Sequence, residues 1–282
     1  MCADSAPASQ LIDRDARGVK LEVGRDDKAL LTYRAHGRVW RVRAWGAINA
    51  RHPNPSIPQV QFRIRRDGKP ITNVCRRYDG PPLPWLVKAC KAPDGSYWAV
   101  QRFRRRMPNL GYLPSSRDTR AWALHLSHWT GPLASLEAWS DWSWTGRFHH
   151  LFGRLTYRGR PVHGFRTTRQ GARLDKYGRL VYVDTLRSSY GPGWRRENSF
   201  VTHRPTGVFC YTFRPRGSRS RAGHGRRYRL TIEGPGVTPD VVRYLDGLPN
   251  YNPRNSLHVA HERAMNALQD QVATGDRLCR KH

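Results

Sequence analysis

Two carboxylates are candidates for acid–base chemistry. Glu197 follows a Gly-rich turn and a tryptophan, and His203 lies six residues further on; Asp141 stands between two tryptophans. Two carboxyl groups held at different pKa values beside an aromatic cleft can hydrolyse a glycosidic bond. Glu197, Asp141 and His203 are therefore the candidate catalytic residues of a glycan hydrolase.

The residues before Glu197 favour a different role. Arg195 and Arg196 precede it, and a neighbouring guanidinium keeps a carboxylate ionised instead of raising its pKa. Strand alternation would place Arg195 and Glu197 on one face and Arg196 on the other. Because most acids of this chain have arginine neighbours, the sequence favours a protein that is not an enzyme, and the hydrolase stays the alternative.

The charge of the chain indicates an anionic partner. Fifty Lys and Arg stand against 21 Asp and Glu, a net charge of +29, and 43 of the fifty are arginine. Arginine binds sulfate, phosphate and carboxylate groups through its planar fork. A genome rich in G and C would explain arginine in place of lysine, but it explains the shortage of acids less well. Candidate binding residues form two clusters: Arg102, Arg104 and Arg105, then Arg216, Arg219, Arg221, Arg226 and Arg227.

Such clusters predict salt-sensitive binding of an anionic polysaccharide, a teichoic-type polymer or another polyanion. Non-specific contact with nucleic acid stays open, whereas the chain has no motif for sequence-specific recognition. A merely solubilising charge is the alternative interpretation.

Tryptophans are the second group of candidate binding residues. Five of the ten lie between positions 122 and 144, among them Trp139 and Trp142, and Trp194 precedes the arginines of the Glu197 segment. Tryptophan rings can stack on sugars or on arginine. They can equally fill a β-sheet core, and both interpretations stay open.

The five cysteines favour disulfides over a metal site, because none forms a Cys-x-x-Cys pair. Cys75 and Cys90 flank a Pro- and Gly-rich turn, so we expect a local bridge between them. A second bridge, Cys210 to Cys279, would fix the C-terminal segment, with Cys2 unpaired or lipid-modified. Five free thiols in a cytosolic protein are the alternative.

The sequence predicts neither a metal nor a cofactor. His125 and His128 would point to opposite faces of a strand, and the helical His258, His261 and Glu262 lack the order that a zinc hydrolase needs. No apolar stretch approaches the ~20 residues that cross a bilayer.

The elements that must position these residues are mostly strands. Residues 39–45 alternate apolar and basic side chains, the pattern of a half-buried strand, and about ten such segments are separated by Gly, Pro, Asn or Asp. Helices are expected at Leu83–Ala89 and at Pro253–Val272, the latter capped by Asn252. The predicted fold is mainly β: residues 1–10 form a flexible tail, and residues 11–282 form a single disulfide-stabilised β-sandwich or jelly-roll-like domain with a C-terminal helix.

Several strings resemble a family of secreted actinobacterial proteins that has no assigned activity. They are Tyr78–Pro81, Cys90–Trp98, His125–Trp129, Gly191–Phe200 and Gly234–Asp240, and the likeness spans Leu11 to Cys279. The resemblance implies export and a disulfide framework, and it carries over no functional residue. The sequence therefore predicts a secreted or envelope-associated protein that binds an anionic polymer or cell-envelope glycan.

Overall fold

The computed structural model describes residues 9–49, 62–66, 68–104, 122–143, 146–162, 180–188, 191–203, 206–213, 225–232, 234 and 237–279. The chain divides into two compact units. Unit 1 comprises Met1–Met107, Arg117–Ala134 and Glu233–Val241, and unit 2 comprises Pro108–Ser116, Ser135–Ile232 and Val242–His282. The single domain expected from the sequence stays a prediction.

Unit 1 contains two antiparallel sheets. Its strands are β1 (Gln10–Arg14), β2 (Arg17–Val23), β3 (Ala29–Ala35), β4 (Arg38–Gly46), β5 (Phe62–Arg65), β6 (Arg76–Arg77), β7 (Leu86–Lys91), β8 (Tyr97–Arg104) and β9 (Trp122–Trp129). One sheet has the order β2-β3-β4-β5 and the other the order β1-β9-β8-β7-β6. Alternate residues of both sheets, such as Leu31, Val42, Val100 and Leu124, are buried in one hydrophobic core, so the two sheets pack face to face.

Unit 2 contains two further sheets and the helix. Its elements are β10 (Ser135–Ser143), β11 (Phe148–Tyr157), β12 (Arg160–Pro161), β13 (Leu180–Ser188), β14 (Gly191–Val201), β15 (Val208–Thr212), β16 (Arg227–Ile232), β17 (Val241–Asp246) and α1 (Ser256–Val272). One sheet has the order β10-β11-β12, with β15 also paired to β11, and the other has the order β14-β13-β16-β17. The predicted mainly β fold with a C-terminal helix is confirmed.

Both predicted disulfides are present. Cys75 is bonded to Cys90, with Cα atoms 5.5 Å apart, and Cys210 is bonded to Cys279, with Cα atoms 5.6 Å apart. Cys279 is buried against Val208 and the end of α1, at Val272. The second bridge therefore joins the segment after the helix to strand β15.

Of the two predicted helices, only the C-terminal one is present. The helix expected at Leu83–Ala89 is wrong, because β7 runs through this segment and pairs with β8; the hydrogen bonds of a neighbouring strand outweigh a short run of weak helical preference. The C-terminal helix exists but begins at Ser256. Asn255 is its cap, accepting the backbone N–H of Leu257 at 3.0 Å, while Asn252 accepts the N–H of Arg254 in the preceding turn.

A buried histidine lies in the core of unit 1. The ring of His128 stacks on Trp98, with centroids 3.8 Å apart and planes at 10°. Its Nδ1 lies 3.1 Å from the Gly46 carbonyl oxygen, and its Nε2 lies 2.7 Å from Ser96 Oγ. Because the carbonyl can only accept, Nδ1 carries the proton of the neutral ring. Burial lowers the pKa of His128 to about 4, although Gly46 and Asp94 act in the opposite direction.

We expect His128 to make unfolding easier in acid. The folded pKa of about 4 lies below the ordinary value of 6.5, so the unfolded chain takes up the proton first. The stabilisation is complete above pH 6.5 and is lost as the pH falls to about 4, amounting to about 3 kcal/mol. Urea unfolding of the protein and of His128→Gln at several pH values measures this difference. The exposed His36→Gln is the matched control, and an equal acid loss in His128→Gln and the parent would contradict the expectation.

Candidate anion-binding face

The outer face of sheet β2-β3-β4-β5 carries basic side chains in successive cross-strand rows, two of which place basic residues directly opposite each other, whereas Thr32 separates Lys20 from Arg41. The rows are Arg17 with Arg34, Lys20 with Arg41, Arg43 with Arg65, and Arg63 with Trp45. These seven basic residues are called the basic face below. Among the described residues of these rows, Glu22 supplies a negative charge, opposite Leu30 in the row of Arg43.

Six of the seven side chains of the basic face are exposed to solvent, and Arg43 is half-buried. Like charges placed directly opposite in a sheet destabilise it. An arrangement of this kind would be relieved by a bound anion, so the face has the chemistry of a polyanion site.

A bulge in β2 brings Arg17 and Lys20 to the same face. Their partners in β3 are Arg34 and Thr32, so three steps along β2 match two steps along β3. Gly18, inside the bulge, has φ +59°, a conformation that glycine adopts without strain. Without the extra residue, strand alternation would put Arg17 and Lys20 on opposite faces.

One end of the basic face forms a groove of about 460 Å³, called the strand-end groove. Its lining residues are Lys28, Arg43, Trp45, Arg65, Gly68 and Lys69. Asp26 lies 2.9 Å from Lys28 Nζ and 2.8 Å from Arg43 Nη2. Slight burial raises the pKa of Asp26, but the hydrogen bonds and charge of Lys28 and the charge of Arg43 outweigh it and hold this pKa below 3.8. Asp26 is therefore ionised at neutral pH and orients two of the four cations.

The opposite end forms a second groove of about 490 Å³ at the β3–β4 hairpin, called the hairpin groove. Its lining residues are Asp15, Arg17, Arg34, Ala35, His36, Gly37, Arg38 and Val39. The guanidinium of Arg38 lies 3.5 Å from the centroid of Trp40, a distance at which a cation–π contact is favourable. His36 Nε2 lies 3.0 Å from Asp13 Oδ1. Basic groups therefore line both ends of the face, whereas Trp40 packs against the core on the other side of the sheet.

The arginines predicted to bind lie elsewhere. Arg102 donates to the Ala16 carbonyl oxygen at 3.1 Å and lies 5.3 Å from the Trp122 ring, and Arg227 Nε lies 3.3 Å from Asp246 Oδ1. Arg226 adjoins β16, its backbone N–H bonded to the Leu186 carbonyl oxygen. Arg104 ends β8. The remaining predicted arginines lie outside the described residues: Arg105, Arg216, Arg219 and Arg221.

The predicted tryptophans make internal contacts in unit 2. Trp142 is 2% exposed and donates its indole N–H to the Pro249 carbonyl oxygen at 2.8 Å. Trp139 stacks on Phe152, and the guanidinium of Arg229 lies 4.6 Å from the ring of Trp194. These contacts account for the packing of the three rings, and their ligand-binding role stays a prediction.

Glu197 lies at a second bulge. The register between β13 and β14 passes from Val183–Asn198 to Asp184–Arg196, which leaves Glu197 as the extra residue. Arg196 and Glu197 are both buried, whereas Arg195 is half-buried, so the simple alternation expected for this segment is wrong. The Thr185 hydroxyl lies 3.4 Å from Glu197 Oε2.

The other two candidate catalytic residues lie on different elements. Asp141 is fully buried in β10, opposite His150 of β11. His203 follows β14, with Nδ1 2.9 Å from Asp276 Oδ2 and 3.8 Å from Cys279 Sγ. Glu197 and Asp141 belong to different sheets of unit 2, and their catalytic roles stay predictions.

A metal-like grouping of His203, Cys210 and Cys279 has ligand atoms within 4.8 Å of one another. Its two sulfurs are bonded to each other. Because zinc binds the thiolate form of cysteine, this disulfide does not offer the sulfur ligands of a zinc site.

A serine, a histidine and an aspartate also meet in unit 1. Ser9 Oγ lies 2.6 Å from His125 Nδ1 and donates to Asp240 Oδ1 at 2.5 Å. All three residues are fully buried, so the trio fixes the N-terminal segment to β9. Ser9 and Gln10, which begins β1, belong to the stretch expected to be a flexible tail; the remainder of that stretch lies outside the described residues.

Sequence reasoning missed most of the basic face because it searched for arginines that are close along the chain. The available signal was the alternation of β4, which separates Arg41 and Arg43 from Val42 and Ala44, and the matching alternation of β5. Their meeting with Arg17 and Arg34 depends on strand register, which the pattern does not contain.

Within the described part of the chain, no helix has the length and apolar character needed to cross a membrane. No protein-family model, curated protein or solved structure matches this chain.

Proposed function

We propose that this protein binds an acidic polysaccharide outside the cytosol and that the basic face is the binding surface. The observation that carries the proposal is the set of cross-strand rows on a solvent-facing sheet: Arg17 lies opposite Arg34 and Arg43 opposite Arg65, and the rows of Lys20, Arg41 and Arg63 lie on the same face. The sequence-predicted partners, an anionic polysaccharide or teichoic-type polymer, belong to the same chemical class.

The electrostatics of the strand-end groove support an anionic ligand. Lys28, Arg43, Arg65 and Lys69 line it, and Asp26 holds Lys28 and Arg43 in place. Arginine forks match sulfate, phosphate and carboxylate groups. The groove therefore provides several donors for a ligand that carries more than one negative group.

Two further features favour a sugar polymer. Trp45 lines the strand-end groove and is partly exposed, so its ring can stack on the apolar side of a sugar while the arginines contact its charged substituents. The two disulfides are typical of oxidising compartments outside the cytosol. Acidic polysaccharides are the common polyanions of that environment.

We expect the variant Arg43→Gln/Arg65→Gln to bind heparin ~10–100-fold more weakly, because two charge-assisted contacts are removed. Binding by the parent should also weaken more steeply with salt than binding by the variant. The variant makes two fewer contacts to the anion and therefore releases fewer counterions when it binds. Calorimetric titration at low and moderate salt measures both quantities.

The matched control is Arg254→Gln/Arg277→Gln, which removes the same charge from exposed positions of unit 2. Equal losses in the two variants would mean that net charge alone attracts heparin. Salt-independent binding, or no binding to any acidic polysaccharide, would show that the proposal is wrong.

A further inference from the structure

The basic face has a groove at each end, so the length of a bound ligand determines whether it contacts one groove or both. We infer that the face binds one extended acidic polysaccharide chain lengthwise, from the hairpin groove to the strand-end groove; this inference rests on the proposed function. The surface between and including the two grooves is called the track below. High affinity then requires a chain that reaches both grooves.

The cross-strand rows give the length of the track. They follow β4 from Val39, in the row of Arg17 and Arg34, to Trp45, in the row of Arg63. The six steps from Val39 to Trp45 in an extended strand cover ~20 Å, and same-face residues recur every ~7 Å. A ligand with anionic groups repeated along its length would meet a basic row at each step.

The two grooves contain the outer members of the same track. Arg17 and Arg34 line the hairpin groove, whereas Arg43, Trp45 and Arg65 line the strand-end groove. The grooves are therefore the two ends of one charged surface in unit 1, with the second row between them.

The middle of the track is also polar and accessible. Lys20 and Arg41 are exposed on either side of the half-buried Thr32. Leu30, the apolar member of the next row, is 1% exposed. Gly68 covers it: a Cβ at this glycine would lie 2.5 Å from Leu30 Cδ1, and its backbone N–H donates to the Arg41 carbonyl oxygen at 3.2 Å. A charged chain lying here meets basic groups, the half-buried Glu22 at the β2 end of the Leu30 row, and no exposed leucine.

Each groove alone is a weak anion site. Asp26 already engages two cations of the strand-end groove, and Asp15 lines the hairpin groove beside its arginines. When one ligand reaches both grooves, the second contact becomes intramolecular, and the gain in affinity can reach ~10²–10⁴-fold. A linear polysaccharide with an acidic group on most of its sugars fits this arrangement.

The test is a series of heparin-derived oligosaccharides of increasing length, titrated against the full chain at one fixed salt concentration. We expect affinity to rise ~100-fold between disaccharides and chains that exceed ~20 Å, and to change little beyond that length. A disaccharide that binds within a few-fold of the longest chain would overturn the track while leaving the proposed function intact. Failure of every length to bind would overturn both.

Paired variants locate the two ends. Arg17→Gln/Arg34→Gln and Arg65→Gln/Lys69→Gln change exposed residues of opposite grooves. Each should reduce the affinity for long chains ~10-fold or more and flatten the length dependence, because only one groove remains engaged. Circular dichroism checks that both variants fold, and Arg254→Gln/Arg277→Gln is again the charge-matched control. Loss in only one paired variant would limit the site to one groove and contradict the track.

Single-stranded DNA of matching length is the competing ligand. Its phosphates repeat along an extended chain, and it would engage the same arginines by charge. Heparin chains should displace it at comparable or lower concentration. Binding of the DNA ~10-fold tighter than heparin of equal length would identify a nucleic acid as the ligand and overturn the polysaccharide inference.

Discussion

Replacing Asp184 by asparagine is expected to lower the free energy of unfolding by about 3–5 kcal/mol, because it removes the counter-charge of two cations in the interior of unit 2. Arg196 Nε donates to Asp184 Oδ1 at 2.5 Å, and Arg229 Nη2 donates to Oδ2 at 2.6 Å. Asp184 and Arg196 are 3% and 4% exposed. The amide keeps the volume of the side chain but removes the negative charge that Arg196 and Arg229 share.

Urea unfolding at neutral pH measures this loss. Burial raises the pKa of Asp184, but the charges and hydrogen bonds of Arg196 and Arg229 prevail and hold it below 3.8. The stabilisation is therefore present above pH 3.8 and is lost only as the pH falls through the lower folded pKa. Asp246→Asn is the matched control: Asp246 is 88% exposed in its pair with Arg227, so we expect a loss of no more than about 1 kcal/mol. Similar losses in the two variants would refute a stabilising role for the buried cluster.

This cluster distinguishes structural arginines from those available to a ligand. Arg196 precedes the candidate Glu197, yet its guanidinium is paired with Asp184 and lies 4.6 Å from the Tyr182 ring. Arg41 and Arg63 of the basic face are exposed. Composition counts all of these residues equally, whereas burial shows which of them can reach a polymer.

Removing the Cys210–Cys279 bridge should cost about 4 kcal/mol of unfolding free energy. The two cysteines are 69 residues apart, and the loss of a long closed loop increases the entropy of the unfolded chain in the loop-closure model. Cys210→Ser/Cys279→Ser, compared with the parent by urea unfolding under non-reducing conditions, measures the effect.

The bridge between Cys75 and Cys90 is the internal comparison. It spans 15 residues, for which the same model gives about 3 kcal/mol. We therefore expect Cys75→Ser/Cys90→Ser to destabilise less than the longer-range pair. The reverse order would show that native packing around the sulfurs, and not loop length, governs the contribution of each bridge.

Features that depend on neighbours along the chain could be predicted from the sequence alone. Alternation over residues 39–45 predicts β4 because side chains of a strand point to opposite faces, and the apolar spacing before Val272 predicts the helix. The Pro- and Gly-rich turn between Cys75 and Cys90 reverses the chain between the two cysteines, so this bridge was predictable as well. Net charge likewise follows directly from composition.

Features that depend on pairing were decided by the tertiary structure. The segment Leu83–Ala89 contributes to a strand because β8 supplies its hydrogen bonds. Bulges at Gly18 and Glu197 each add one residue to a strand, and one added residue transfers the following side chains to the other face. Arg17 and Arg65 are far apart in sequence and belong to one face only because four strands align in register; a local pattern contains no information on that alignment.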